Sequence, residues 1–144
     1  MQNHYNLIYR EEEREMIPLC VTEGVGIIPR SPLARGLLAR EGGPTLRSGT
    51  DEYGKRLYGG EDDSRVIEAV REVARERGVK PARIALSWIL GAPGVTAPMI
   101  GTTHLEHLHE AVGSLDLQLT PEERGRLEEP YRPHPVLGHQ QPKA

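Results

Sequence analysis

The chain has 144 residues, 37% hydrophobic and 27% charged, which suits one globular domain and is too short for two ordinary ones. Its formal net charge of −3 argues against a nucleic-acid partner, and a single cysteine, Cys20, excludes an internal disulfide. No apolar run reaches membrane-spanning length and no basic segment leads into an apolar one, so we expect a cytoplasmic protein with no membrane partner.

The first part of the chain is predicted to contain one helix, one short strand and a long loop. Acidic residues fill the first half of residues 10–23, and Gly24 stands at the C-cap position, which predicts a helix. Pro18 lies inside this helix and should kink or split it. The apolar run at residues 25–28 is typical of a short buried strand. Residues 30–62 lack a steady hydrophobic period, which predicts a long loop.

Two consecutive helices are predicted to follow the loop. The apolar residues of SRVIEAVREVARERG recur at helical spacing, and Gly78 should end this helix. Lys80 and Pro81 then begin a second helix, ARIALSWILG, which is apolar on nearly all sides. The N-cap candidates of the first helix are Asp62, Asp63 and Ser64.

The last part of the chain is predicted to hold one more strand and two more helices. The strand is expected at residues 95–101, and Thr102 or Thr103 is expected to cap the helix HLEHLHEAVGSL. The sequence TPEE, starting at Thr120, predicts a capping box and a final helix. Residues 130–144 are rich in proline, which predicts an irregular tail.

Strands and helices therefore alternate, which is typical of a parallel sheet covered by helices. In such folds the functional groups collect at the carboxyl ends of the strands. These ends carry Gln2, Asn3, Tyr5 and Asn6, then Arg30 and Ser31, then residues 101–103. The helix after Thr103 directs its free N–H groups toward the same region. The combination predicts an anionic ligand such as a nucleotide. The alternative is that Ser31 and Thr103 only cap turns and helices.

Other chemistries have less support in the sequence. His104, His107 and His109 do not share one helix face, so they do not predict a metal site, and we expect them to face solvent. Neither a Ser/His/Asp nor a Cys/His arrangement is evident, and Cys20 lies in an apolar stretch, which favours a buried hydrophobic role. We therefore predict no metal and no catalytic residue in this chain.

Three segments together resemble the aldo-keto reductases, and most closely the bacterial branch related to the potassium-channel β subunits: QNHYNLIYREEEREMIPLC, GIIPRSPLARGLL and APMIGTTHLEHLHEAV. The similarity runs through the chain in order and includes LTPEERGRLEEPY. Members of this family are (β/α)8 barrels that reduce aldehydes and ketones with NADPH. The resemblance implies an α/β fold with the last three or so βα units of a barrel and a C-terminal helix, residues 1–144 being one partial domain.

The resemblance also implies a site for a nicotinamide dinucleotide, NADP(H), with NAD(H) not excluded. Gln2 matches the glutamine that hydrogen-bonds the nicotinamide carboxamide, and Arg47 matches a loop arginine near the phosphates. His107 and Glu110 match helix positions that face the adenosine end. The turns after the seventh and eighth strands correspond to Ser31, Pro32, Leu33, Arg35 and Gly36 around the pyrophosphate, and to Gly101 and Thr103.

The sequence departs from the family pattern in three ways. Arg30 stands where an aromatic ring usually stacks on the nicotinamide; a guanidinium can also stack, but its charge disfavours the oxidised ring. His107 replaces the expected Gln or Arg, which leaves the preference for a 2′-phosphate open. The family's catalytic Asp, Tyr, Lys and His belong to the first half of the barrel, which has no counterpart here. We therefore expect this chain alone to be inactive.

Three functions remain compatible with the sequence. The chain is the cofactor-binding part of a reductase, a subunit that completes a barrel with a separate first-half chain, or a cofactor-free structural or regulatory partner. Leu86, Ile89 and the strands at 25–28 and 97–100 are expected to pack against the first half of a barrel. The isolated chain is therefore expected to be unstable or to self-associate.

Overall fold

The structure is a computed structural model, and it describes residues 1–42, 54, 57–58 and 60–135. Within these ranges the chain forms five α-helices and three short 3-10 helices. The α-helices are α1 (Met16–Thr22), α2 (Glu61–Arg77), α3 (Pro81–Leu90), α4 (Leu105–Val112) and α5 (Pro121–Glu128). The 3-10 helices are Glu11–Glu13, Ala34–Ala39 and Gly113–Asp116.

The helix predicted at residues 10–23 is split into two helices, Glu11–Glu13 and α1, but the predicted position of the split, at Pro18, is wrong. The break lies at Glu15, whose φ of −139° is not helical. Pro18 does not cause the break, because it occupies the third position of α1, where its missing N–H costs no helical hydrogen bond. Gly24, with a φ of 66°, follows the end of α1 as predicted.

Helix α2 begins earlier than the sequence predicts, and its cap is different. Gly60 is the N-cap, so none of the candidates Asp62, Asp63 and Ser64 caps this helix from outside. The Asp63 carboxylate instead accepts the N–H of Gly60 at 3.2 Å from within the first turn. Gly78 adopts a φ of 64° and ends the helix as predicted.

Helix α3 lies at the centre of the hydrophobic core. The Trp88 ring centroid lies 5.3 Å from that of Tyr5, and the indole N–H donates to Glu128 of α5 at 2.7 Å. The prediction that Leu86 and Ile89 depend on a missing half is wrong, since they are 2% and 0% exposed in this chain. Neighbouring helices and the N-terminal segment of the same chain enclose them.

Three extended segments, residues 1–6, 25–31 and 95–101, lie side by side against this helical layer. Parallel bridges join His4 to Arg30 and Ile27 to Val95, which places residues 25–31 between the other two. The predicted parallel order is therefore present. The predicted strands at 25–28 and 95–101 are wrong as regular elements, because among the described residues these pairings are isolated bridges.

Local chemistry explains why the pairing stays short. The N–H of Ile27 donates to the side-chain hydroxyl of Thr96 at 3.2 Å, in a position where a regular ladder would use a backbone acceptor. Pro29 and Pro98 have no N–H to donate. Gly26 allows the close approach, since a Cβ there would lie 2.9 Å from the Thr96 hydroxyl.

The two C-terminal helices differ in how well the sequence predicted their caps. The capping box of α5 is confirmed: Thr120 accepts the N–H of Glu123 at 3.2 Å, and the Glu123 carboxylate accepts the N–H of Thr120 at 2.7 Å. The predicted cap of α4 is wrong, because His104 is its N-cap. The Thr102 hydroxyl accepts the N–H of His104 at 3.1 Å and so shapes the turn ahead of the helix.

The predicted loop and tail are only partly described. The 30–62 segment contains the 3-10 helix Ala34–Ala39 and the first residues of α2, while residues 43–53, 55, 56 and 59 lie outside the described residues. Residues 131–135 of the 130–144 tail have no regular structure, and residues 136–144 also lie outside the described residues.

Two groups of large apolar side chains remain exposed. On the extended segments, the exposed fraction runs from 37% at Ile100 to 46% at Met99, with Val25 and Ile28 between these values. On α4, Leu105, Leu108 and Val112 are also uncovered, and Leu105 is 68% exposed. Among the described helices, none is long and apolar enough to cross a membrane.

Candidate functional site

The parallel arrangement brings the ends of the three extended segments to a shared edge. The N–H of Arg30 donates to the carbonyl of Asn3 at 2.8 Å, and the N–H of Met99 donates to the carbonyl of Pro29 at 2.8 Å. The chain beyond Arg30 and the chain beyond Met99 therefore leave the sheet region next to each other. This shared edge holds the polar residues that the sequence placed at the strand ends.

The turn at residues 31–36 dominates the shared edge. Ser31, Ala34 and Arg35 have positive φ values of 56°, 47° and 57°, and Gly36 follows at 92°. Left-handed backbone costs about 1–2 kcal/mol at each non-glycine residue, so the turn needs contacts that hold it. Two internal hydrogen bonds contribute, from Ala34 N–H to Ser31 O at 2.9 Å and from Gly36 N–H to Leu33 O at 2.8 Å.

The exposed groups of this turn can bind an anion. Arg30 and Arg35 have exposed side chains, and a Cβ at Gly36 would meet nothing within 4 Å. The Ser31 hydroxyl is partly exposed and makes no hydrogen bond within the described part of the chain. Guanidinium and hydroxyl donors beside an open backbone turn are suited to phosphate oxygens.

A buried polar cluster lies directly beneath the turn, and the sequence reasoning missed it. The Asn6 amide donates to the carbonyl of Ser31 at 2.9 Å and to the Tyr58 hydroxyl at 3.1 Å. The Tyr58 hydroxyl is also hydrogen-bonded to Nε2 of His4, whose ring stacks on Tyr9 with centroids 4.4 Å apart. The only signal in the sequence was the run of polar residues in QNHYN, where a buried strand would be apolar.

Burial sets the ionisation of this cluster. Desolvation, and secondarily the nearby charge of Arg30, lowers the pKa of His4 from 6.5 to about 4. Desolvation likewise raises the pKa of Tyr58 to about 12. At neutral pH the His4 ring is therefore uncharged, and the Tyr58 hydroxyl accepts from Asn6 while also hydrogen-bonded to Nε2 of this neutral ring.

Several other predicted residues lie near the shared edge. Gln2 is exposed, and its side-chain nitrogen lies 3.5 Å from the sulfur of Met99. Gly101 is open, with nothing within 4 Å of a Cβ built on it, and Thr103 is exposed. Pro32 is buried and Leu33 partly buried below the turn. Arg47 lies outside the described residues.

The remaining predicted residues, His107 and Glu110, lie on helix α4. None of their described contacts is with residues of the shared edge. The Glu110 carboxylate pairs with Arg83 at 2.8 Å and lies 3.9 Å from the Lys80 ammonium group, both on the neighbouring helix layer. His107 is exposed, with its ring centroid 5.2 Å from that of His104. In the described residues, no group of three or more His, Cys, Asp or Glu side chains could hold a metal.

Comparison with known proteins shows which family the chain resembles. Residues 1–132 match the model of the aldo/keto reductase family. The chain is 45% identical over 141 residues to a putative aryl-alcohol dehydrogenase of Schizosaccharomyces pombe, covering 96% of this chain and 43% of that protein. It is also 45% identical over 141 residues to versiconal hemiacetal acetate reductase of Aspergillus parasiticus, covering 94% of this chain and 41% of the relative.

A third relative, an aldo-keto reductase of Fusarium vanettenii, is 41% identical over 144 residues, which cover 96% of this chain and 38% of that protein. All three relatives are fungal. The chain therefore spans about two fifths of the length of the curated relatives it matches.

Proposed function

The chain belongs to the aldo/keto reductase family of oxidoreductases, and from this premise we propose that its shared edge binds the diphosphate of a nicotinamide dinucleotide. NADP(H) is the proposed cofactor, with NAD(H) as the alternative. The observation that carries the proposal is the left-handed turn at residues 31–36, which presents Ser31 and the exposed Arg35, with exposed Arg30 directly before it, at the ends of parallel segments. Ligands bind at this end of parallel sheets in α/β folds.

The residues of the turn have separate roles in this proposal. Arg35 and the Ser31 hydroxyl donate to phosphate oxygens, and the open glycines, Gly36 and Gly101, let the backbone approach the diphosphate. In this proposal the Arg30 guanidinium faces the nicotinamide, and Gln2 binds its carboxamide. When bound, the cofactor supplies the hydride for reducing an aldehyde or ketone.

The chain by itself is proposed to bind this cofactor without turning over substrate. We assign none of its described residues as the proton donor to the carbonyl oxygen of the aldehyde or ketone. A positioned proton donor typically contributes a factor of about 10²–10⁴ in rate. Reduction therefore requires groups supplied by another part of a longer protein or by a separate chain.

The exposed apolar side chains support a protein partner rather than a free-standing monomer. Val25, Ile28, Met99 and Ile100 line the extended segments, where a complete barrel would place further secondary structure. We propose that this surface contacts the remaining barrel elements, either in one polypeptide or on a separate chain, and that the isolated chain self-associates through it. Size-exclusion chromatography with light scattering tests this proposal, and a stable monomer contradicts it.

Fluorescence titration of NADPH with the purified chain tests the cofactor proposal. We expect saturable binding that weakens about tenfold in Arg35→Ala, because a charge-assisted hydrogen bond is lost, and less in Ser31→Ala. Arg75→Ala is the matched control, since Arg75 is an exposed arginine on α2. NADPH absorbance should stay constant with an added aromatic aldehyde. Absent binding, or equal losses in all three variants, contradicts the proposal and favours a cofactor-free structural role.

A further inference from the structure

We propose that Asn6 is the positioning residue of the proposed cofactor site, because its side-chain amide fixes the Ser31–Gly36 turn from below. This inference rests on the proposed function for its ligand, but the geometry of the turn is independent of any ligand. Asn6 touches neither a cofactor nor a substrate in this proposal. It acts on the residues that do.

Asn6 is completely buried, and described hydrogen bonds use both ends of its amide. The oxygen accepts the N–H of Ile8 at 3.0 Å, which fixes the side-chain orientation. The nitrogen donates to Ser31 O at 2.9 Å and to the Tyr58 hydroxyl at 3.1 Å. An amide nitrogen has two hydrogens, so these two acceptors occupy it fully and the more distant His4, at 3.4 Å, receives no separate bond.

The Asn6 amide acts on the turn through its hydrogen bond to the Ser31 carbonyl. That carbonyl accepts both the Asn6 amide and the N–H of Ala34, so its two acceptor positions are filled. Ser31 and Ala34 are themselves left-handed, and a non-glycine residue holds this conformation only when its surroundings impose it. Asn6 is a contact of this kind that comes from a different segment of the chain, 25 residues away.

Tyr58 extends the same control to the segment before helix α2. Its hydroxyl accepts from Asn6 and is hydrogen-bonded to His4, and its side chain is buried. Docking of Tyr58 therefore fixes the Asn6 amide, and Asn6 fixes the turn. In this arrangement the segment that carries Tyr58 sets the affinity of the turn for phosphate oxygens without contacting them.

Hydrogen exchange and cofactor titration of the same variants test this inference. Asn6→Ala removes the donor, and Tyr58→Phe removes only the hydroxyl and serves if Asn6→Ala does not fold. Tyr131→Phe is the matched control, because the Tyr131 hydroxyl also makes two hydrogen bonds, to Glu11 and from the N–H of Arg10, but lies away from the turn.

We expect amide exchange in residues 34–38 to accelerate about tenfold in Asn6→Ala and less in Tyr58→Phe, with exchange in α3 unchanged. NADPH affinity should fall in the same order, and Tyr131→Phe should alter neither quantity. Unchanged exchange in the turn overturns the inference, and so does faster exchange throughout α3, which shows a general structural role. If the unaltered chain binds no NADPH, the proposed function fails, while exchange in the turn still decides whether Asn6 positions it.

Discussion

His4 provides a pH-dependent test of the buried cluster. The folded chain keeps this ring neutral down to about pH 4, whereas the unfolded chain protonates it near its ordinary pKa of 6.5. Between these values the unfolded state binds more protons than the folded state. The free energy of unfolding therefore falls as the pH falls through this window, and the full stabilisation is present above it.

The magnitude follows from the two pKa values. A group with a pKa of 6.5 unfolded and about 4 folded contributes about 3 kcal/mol in full, of which about 2 kcal/mol is lost between pH 8 and pH 5. His4 is only 5% exposed, so solvent screening does little to reduce this effect. A small domain is stable by about 5–15 kcal/mol, and the expected loss is a large part of that margin.

Urea unfolding followed by tryptophan fluorescence at several pH values measures this effect, because Trp88 is the single tryptophan and is buried. We expect His4→Gln, which keeps an acceptor for Tyr58, to flatten the profile between pH 5 and 6.5. His109→Gln, at an exposed site, should leave it unchanged. The lowered pKa of Glu123, about 2 because of Arg77, acts below pH 4.5 and does not enter this window. A steep profile retained in His4→Gln would refute the assignment.

Two further predictions concern stability and use the same urea assay near pH 7. Thr120→Ala should lower the free energy of unfolding by about 1 kcal/mol, because the capping box of α5 is lost. Thr103→Ala, the control, should change it by less than about 0.5 kcal/mol, since Thr103 does not cap α4. A larger loss in Thr103→Ala than in Thr120→Ala would contradict the assigned caps. Ile89→Ala should lower the free energy of unfolding by about 2–5 kcal/mol, because this side chain is fully buried. Leu105→Ala, at a 68% exposed site, should lower it little. Similar decreases in the two variants would contradict the described core.

Local signals in the sequence predicted the helices better than the sheet. Gly78 and the Thr120 capping box could be identified because a helix end depends on a few adjacent residues. The cap of α2 was missed because Gly60 has no side chain and Asp63 reaches back from inside the helix. The strands were overestimated because Thr96 and two prolines interrupt pairing between segments that are far apart in the chain.

The residues of the candidate site divide in the same way. Ser31, Arg35 and Gly36 were identified from one contiguous segment, which the resemblance to a family made specific. Asn6 was placed at a strand end, but its contact with Tyr58 was not identified, because the two residues are 52 positions apart and meet only when the chain folds. For Glu110, predicted to face the adenosine end of a cofactor, the fold adds an ion pair with Arg83 on the neighbouring helix, which the sequence did not indicate.

By itself, the sequence predicted the family and most helix positions, because short segments carry these properties, and it located the turn that we propose as an anion site. The tertiary structure alone decided how that turn is held from outside, since the Asn6 amide, 25 residues away, adds a contact to the hydrogen bonds within the turn. It also decided the charge of His4, because its pKa depends on burial beneath residues from other segments. An amide or imidazole acquires such a role only when folding removes water around it and fixes its hydrogen-bonding partners.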